Sequence, residues 1–542
     1  MPGSRQRFSL MVPFLVWMVA TVVVGVLLFV FSNASDRAVA ARTIGLGLSA
    51  SAIAIPIGGL IAWVCRGTGF ISRMMLVGTM ALVLIPMFIH VSGWDAAFGK
   101  LGWLTSVQGK ALQPIVSGWT AAAWIHGIAA APQVALVLLI GMSIGGRIFE
   151  EQASLDTSEL GVFWHVTFKR LWPLLILSVI WIVVSCAREI AVTDIYQIGT
   201  LSEQIYLGYS LGLNSIQGTW TPDQLAAAGE IGPKLTISII AWLALTGFCL
   251  FMFLTDLEFE SQSFKPTQSK PASAIQKTCG LALILLTMAI PIGNVIVRAC
   301  FFVRPVDGIP TKGYSIAQMF GAIRRSVLDY QNEFIWSFLI SAVSATLIIL
   351  FASLLSFAAR RSRAIQVLFA ILLAVSCALP GPWIGTTIAS IFVEIENETL
   401  GWFYNYTIAA PVIANLIFCW PVGALVVWFV FRKIPQDALD SSSVDGAGKT
   451  VRFFRFGVAG NLMAIIGCWM ISFAFCFGEL SASHIVRPPG IDTVPRKMLG
   501  DLHAGVNELT AGITIVTAAA VITISLVGWW FIRLNQSHNG RQ

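Results

Sequence analysis

Twelve long apolar runs divide this chain. They fall at roughly 8–31, 43–65, 73–91, 119–146, 171–190, 234–255, 278–300, 334–358, 364–390, 405–431, 457–478 and 511–533. A helix needs about 20 mostly apolar residues to cross the hydrocarbon of a bilayer. Composition argues the same way: only 11% of the 542 residues are charged, against about 25% in a soluble domain. Too few polar side chains exist to cover a water-facing surface, so lipid must face much of the chain. The predicted fold class is all-α, a polytopic membrane protein with about twelve transmembrane helices. Arg5 and Arg7 precede the first run as in a secretory signal. That run is too long for a signal core of about 7–15 residues, so it is expected to be an uncleaved first span.

The net charge of +7 does not point to nucleic acid, because the basic residues are spread along the loops between apolar runs. Such loops suit the cytoplasmic side and its anionic headgroups. Twelve spans put both termini on one side. Arg360, Arg361 and Arg363, then Arg432, Lys433, Lys449, Arg452 and Arg455, fall on that same side, which predicts that both termini are cytoplasmic. The 301–333 loop opposes this bias, with Arg304, Lys312, Arg324 and Arg325 on the outer side. Nine cysteines, mostly within apolar runs and with no CxxC pair, read as small buried hydrophobes, with no disulfide framework and no metal site.

The polar stretch 256–277, with Pro266 and Pro271, reads as a cytoplasmic linker. It separates residues 1–255 from 278–542, each with six spans. Two landmarks recur across it. Leu155-Asp156 aligns with Val444-Asp445 at an offset of 289, and Cys186 and Glu189 align with Cys476 and Glu479 at 290. Two unrelated landmarks at nearly one offset predict two homologous six-helix repeats, a common transporter plan with the pathway between them.

The first landmark lies in a loop of about 25 residues in each part, 147–170 and 433–456, far longer than a plain helix connection of about 2–8 residues. Each mixes acids, small residues, aromatics and bases. This composition predicts a short helix along the membrane surface, shaped to insert into a partner, or else an interfacial helix with no partner. Duplication favours the partner. Asp156 and Asp445 are expected to cap a short helix through its free N–H groups, and Gly446-Ala447 to allow close approach.

At these residues the chain resembles a known family. Glu150-Glu151-Gln152-Ala153-Ser154-Leu155-Asp156 and Leu439-Asp440-Ser441-Ser442-Ser443-Val444-Asp445-Gly446-Ala447 resemble the EAA loop of ABC-type importer permeases. The second copy, led in by Ile434-Pro435, matches better; the first has Thr157 and Ser158 where Gly and Ala are usual. The resemblance implies that Glu150, Glu151, Ala153, Asp156, Asp440, Asp445, Gly446 and Ala447 dock on a separate ATPase subunit, present in two copies. It also implies a periplasmic or lipid-anchored solute-binding protein and a bacterial cytoplasmic (inner) membrane location. The length, the fused repeats, and the stretches Gly478-Glu479-Leu480-Ser481-Ala482-Ser483, Arg487-Pro488-Pro489-Gly490, Leu502-His503-Ala504-Gly505 and Arg188 to Asp194 resemble the ferric-iron and thiamine branch. Ferric iron is the cargo this implies; thiamine, polyamines and other small ions stay open.

Ser443 to Thr450 nearly spells a phosphate-binding loop, but Ser443 stands where Gly is needed and no strand precedes it. No cofactor is expected on this chain, and ATP would be used by the partner. Arg188, Glu189 and Glu479 fall at the outer ends of their helices, with Asp194 and His484 five residues beyond each Glu. These five are candidate translocation-pathway residues, because charges at such depth often mark a pathway; a snorkelling side chain or an interfacial ion pair is the alternative. His90, His126 and His165 read as structural. Pro86 and Leu379-Pro380-Gly381-Pro382 sit near the outer ends of the third spans of the two parts, as vestibule elements or simple helix ends. Two other classes remain: an ion-coupled secondary transporter, which needs ionisable residues deep in its spans, and a membrane enzyme, which needs a polar cluster on one face.

Overall fold

The apolar runs fold as helices that cross and pack, in a computed structural model that describes residues 34–107, 110–111, 114–143, 152–153, 155–157, 162–210, 273–306, 309–360, 362–394 and 398–539. The expected spans at 8–31 and 234–255 and nearly all of the 256–277 linker lie outside the described residues. So do Glu150 and Glu151.

Before residue 211 run α1 (Ala34–Cys65), α2 (Phe70–Leu82), α3 (Met87–Phe98), α4 (Gly118–Ser143), α5 (Phe168–Arg188), the short α6 (Ala191–Ile195) and α7 (Leu201–Ser210). After residue 272 come α8 (Ala274–Cys300) and the hairpin β1 (Phe301–Val306) and β2 (Ile309–Tyr314), then α9 (Ile316–Asp329), α10 (Gln331–Ala359), α11 (Arg363–Ala378), α12 (Gly381–Glu394), α13 (Glu398–Tyr406) and α14 (Ala409–Arg432). The chain ends with α15 (Gln436–Val444), α16 (Lys449–Phe477), α17 (Val494–Ala504) and α18 (Glu508–Asn539). Among the described residues seven helices are long and apolar enough to cross a membrane. The protein is an all-α, multi-pass membrane protein.

Two expected spans are not continuous. The 73–91 run breaks between α2 and α3 with a bend of 112°, and the 364–390 run breaks between α11 and α12 with a bend of 100°. Pro86 occupies the N-cap of α3, and Pro380 immediately precedes α12. Proline lacks the N–H that would continue the ladder and disfavours helix in the residue before it.

Small residues set the helix crossings. A Cβ on Gly58 of α1 would lie 2.7 Å from the Ala131 carbonyl of α4, and one on Gly127 of α4 would lie 2.7 Å from Ile53 of α1. Gly467 of α16 and Gly528 of α18 meet backbone to backbone in the same way. With no hydrophobic drive between helices in lipid, such close approach supplies the packing. Several buried hydroxyls are satisfied within their own helices: Ser51, Thr79, Ser341, Ser472 and Ser525 each donate to the carbonyl four residues back. Amphipathic α9 packs on α18 and leaves Ile316, Phe320 and Leu328 exposed, continuous with the exposed apolar faces of α8 and α10 that it joins.

The packing pattern before residue 211 and after residue 272 is alike. α1 packs on α4 and α5, and α4 on α5; α10 packs on α14 and α16, and α14 on α16. Pro132 lies inside α4 and Pro421 inside α14, again 289 apart, and π-helical turns begin at Phe163 and Phe453, 290 apart. The two sets interlock: α7 packs on α12, α17 on α3, and α8 on α1, α2 and α3.

Candidate functional site

Where α5 and α16 end, the chain makes the same turn twice. The Glu189 carboxylate accepts the backbone N–H groups of Ala191 and of Val192 (3.1 Å). The Glu479 carboxylate accepts those of Ala482 (2.6 Å) and Ser483 (3.0 Å). The hydroxyls of Thr193 and Ser483, 290 apart, donate back to the carbonyls of Glu189 (3.2 Å) and Glu479 (3.3 Å). Each acid thus caps the turn that follows it, because a carboxylate satisfies otherwise orphaned N–H donors. The two turns touch, with the Ile190 N–H donating to Ser481 Oγ at 3.3 Å. The structure therefore brings Glu189 and Glu479 to one place, and gives both a backbone-capping duty that the sequence reading did not foresee.

Arg188 is buried and crosses from one set of helices to the other. Its Nε donates to the Leu379 carbonyl (3.3 Å) and its terminal N–H to the Phe418 carbonyl (3.0 Å), with the guanidinium 4.2 Å above the Phe418 ring. Leu379 is the residue at the break between α11 and α12, whose carbonyl has no helical partner there. Position 478, which corresponds to Arg188, is glycine, and a Cβ there would lie 2.2 Å from Pro86 at the other break. One break is clamped by a buried cation; the other is closed by bare backbone against a proline ring.

Beyond each turn the connections cross. Asp194 faces His503 of α17 at 3.4 Å, and His484 meets Tyr206 of α7 at 3.1 Å. His503 also bonds the Leu499 carbonyl at 2.8 Å. The Asp194 hydrogen bond is the main influence that raises the His503 pKa, with burial opposing it. Burial lowers His484 to about 4, so its ring is neutral.

Two residues that the sequence reading passed over belong here. His126 of α4, read as structural, lies against Glu189, Nε2 to Oε2 3.9 Å. Asn415 of α14, 289 residues later, donates to the Cys476 carbonyl at 3.5 Å. Their shared offset was the available signal. A cavity of about 20 Å³ opens beside Asn415 and Glu479, lined also by Ser341, Ser483, Arg487 and Arg496. Asp492 at its rim pairs with Arg496 (2.6 Å) and Arg487 (3.7 Å).

At the opposite end of the bundle, the loop between α14 and α16 forms α15. Leu439 and Ser442 are buried, while Asp437, Asp440 and Ser441 are exposed and Val444 is 88% exposed. Arg360, at the end of α10, clamps the entry by donating to the Phe431 (2.9 Å) and Ile434 (2.6 Å) carbonyls. Asp445 does not cap a helix start as expected: it is the C-cap of α15. The exit is a Schellman motif, in which Ala447 N–H reaches the Ser442 carbonyl (3.0 Å) and Gly446 N–H that of Ser443 (3.2 Å). Gly446 has φ +80°, so its glycine serves this left-handed turn. In the first loop Ala153 and Asp156 lie in helical turns, Asp156 exposed, and the Thr157 N–H reaches the Ala153 carbonyl at 3.0 Å.

No family model matches the chain, and no solved structure does. The putrescine transport system permease protein PotI of Escherichia coli strain K12 is 23% identical over 165 residues, as is its counterpart in Escherichia coli O6:H1. The match covers 30% of this chain and 58% of each relative, so the chain spans little more than half the length of the curated relatives it matches.

Proposed function

We propose that this chain is the permease subunit of an ABC-type importer, a transport subunit with no catalysis of its own. It would carry a small cationic solute across a bacterial cytoplasmic membrane by alternating access. Residues 1–255 and 278–542 are read as two six-helix repeats joined by a cytoplasmic linker, both termini cytoplasmic. Two copies of a separate ATPase would dock on the 147–170 and 433–456 loops and hydrolyse the ATP, and a binding protein would deliver the solute at the end that carries the Glu189 and Glu479 turns.

The observation that carries the reading is the likeness to the putrescine permease. It is supported by α15, a short capped helix with one buried and one exposed face. For the cargo, the resemblance around Glu479 suggests ferric iron, while the likeness to the putrescine permease favours a polyamine. Both are cations, and we take the organic amine as the working substrate.

The test is purification of the full chain with whatever ATPase accompanies it, and ATP-dependent uptake of labelled putrescine and ferric citrate into proteoliposomes supplied with the cognate binding protein. Putrescine uptake supports the reading, and iron uptake alone moves the cargo to ferric iron. Uptake that runs on an ion gradient without ATP would overturn the importer reading.

A further inference from the structure

We propose that the cavity beside Glu479 is a binding station for one protonated amino group of the transported solute. The proposal rests on the importer reading above and specifies the chemistry that the pathway recognises.

Four of the residues that line the cavity, Asn415, Glu479, Ser341 and Ser483, offer acceptors. Asn415 is 2% exposed, and its Oδ1 is buried with no hydrogen-bond partner. Glu479 is 6% exposed and accepts two backbone N–H groups, which leaves lone pairs on both carboxylate oxygens. Ser341 and Ser483 direct their hydroxyl protons to the carbonyls of Ser337 and Glu479, so each oxygen can still accept. A buried acceptor without a donor costs about 1–3 kcal/mol, so Asn415 calls for a guest that donates, although the same lining also holds a buried donor without a partner, Arg496 Nε. A primary ammonium is such a guest, with three N–H groups and one positive charge. The cavity of about 20 Å³ has room for a group the size of a water molecule, which suits the head of an alkylammonium.

The surrounding cations limit how tightly that head is held. Arg188 lies within electrostatic reach of Glu479, although its hydrogen bonds go to the Leu379 and Phe418 carbonyls. Arg487 and Arg496 line the cavity, both paired with Asp492. A pathway site must bind well enough to admit its solute and weakly enough to release it, and the arginines keep this one from becoming a trap. At the corresponding place before the linker, His126 stands where Asn415 does. The station is therefore one-sided.

Asn415 supplies the decisive variants. Asn415→Leu removes the free acceptor, and Asn415→Asp adds a second carboxylate at the same spot. A merely structural role, through the bond to the Cys476 carbonyl, would be damaged alike by both. The experiment is putrescine uptake by the full chain with its ATPase and binding protein, read as KM and maximal rate, with thermal denaturation of each variant alongside. The expected result is a KM raised at least tenfold in Asn415→Leu and lowered severalfold in Asn415→Asp, with stability retained. If both variants keep the wild-type KM, or both raise it equally, the cavity holds only structural water and the proposal is overturned while the importer reading stands. If the wild-type protein takes up iron and no amine, the proposal falls together with the choice of amine cargo.

Discussion

Arg188 and Leu379 lie 191 residues apart in the chain and are joined by a buried hydrogen bond of 3.3 Å from the guanidinium to the backbone carbonyl. The bond matters because Leu379 sits where Pro380 ends one arm of a broken span. Its carbonyl would otherwise be left in the protein interior at a helix end. The same guanidinium serves the Phe418 carbonyl and lies over its ring, so one side chain ties α5 to both α11 and α14.

Replacing that side chain should loosen the junction. Arg188→Ala leaves both carbonyls unpaired and removes the ring contact, an expected loss of about 2–4 kcal/mol. Arg188→Lys keeps the charge without the forked donors and should fall between Ala and wild type. Thermal denaturation of the purified protein in detergent reads the order. An Ala variant that melts with wild type would show that the clamp carries no stability.

The paired turns make a second prediction. Glu189→Ala and Glu479→Ala each remove a carboxylate cap and should each cost about 1–2 kcal/mol. Because Ile190 donates to Ser481 across the two turns, the costs should not add. A double-mutant cycle in denaturant measures the coupling. Additivity to within about 0.5 kcal/mol would mean that the turns act independently.

His503 gives a pH dependence of known sign. Its pKa is raised in the folded protein by Asp194, so the folded state binds the proton more tightly than the unfolded one. The stabilisation is fully present below the unfolded value of about 6.5 and is lost as pH rises through the raised folded value. Melting temperature should therefore decline across that window, and Asp194→Asn should flatten the decline. A wild-type slope that persists in Asp194→Asn would assign the effect to another group.

At α15 the two roles of the loop separate. Gly446→Ala forces a Cβ into a left-handed conformation and should fray the helix end at a cost of about 1–2 kcal/mol, visible as faster hydrogen exchange at Ala447. Val444→Asp changes only an exposed side chain. It should leave exchange unchanged and reduce co-purification of the ATPase. A Val444→Asp protein with undiminished ATPase binding and uptake would remove this face from the docking surface.

By itself the sequence determined the membrane class, the places of most described helices and the two places where features recur at 289–290. Those follow from local causes: an apolar run of sufficient length must be helical in lipid, and a recurring spacing can be read directly from the chain. It also marked Arg188, Glu189 and Glu479 as unusual, because charge at the end of an apolar run is costly wherever it lies. What each charge does was decided only by tertiary structure. Glu189 and Glu479 have nearby N–H donors, so they cap their own turns. Arg188 is itself a donor, and the carbonyls that accept from it, Leu379 and Phe418, lie far along the chain where only packing brings them near. The 100° and 112° bends belong to the same class. Proline in the sequence announces a break, but the angle depends on what each arm packs against. Asn415 looked like an ordinary helix residue until folding left its side-chain oxygen buried without a donor and put Asn415 and Glu479 in the lining of one small cavity.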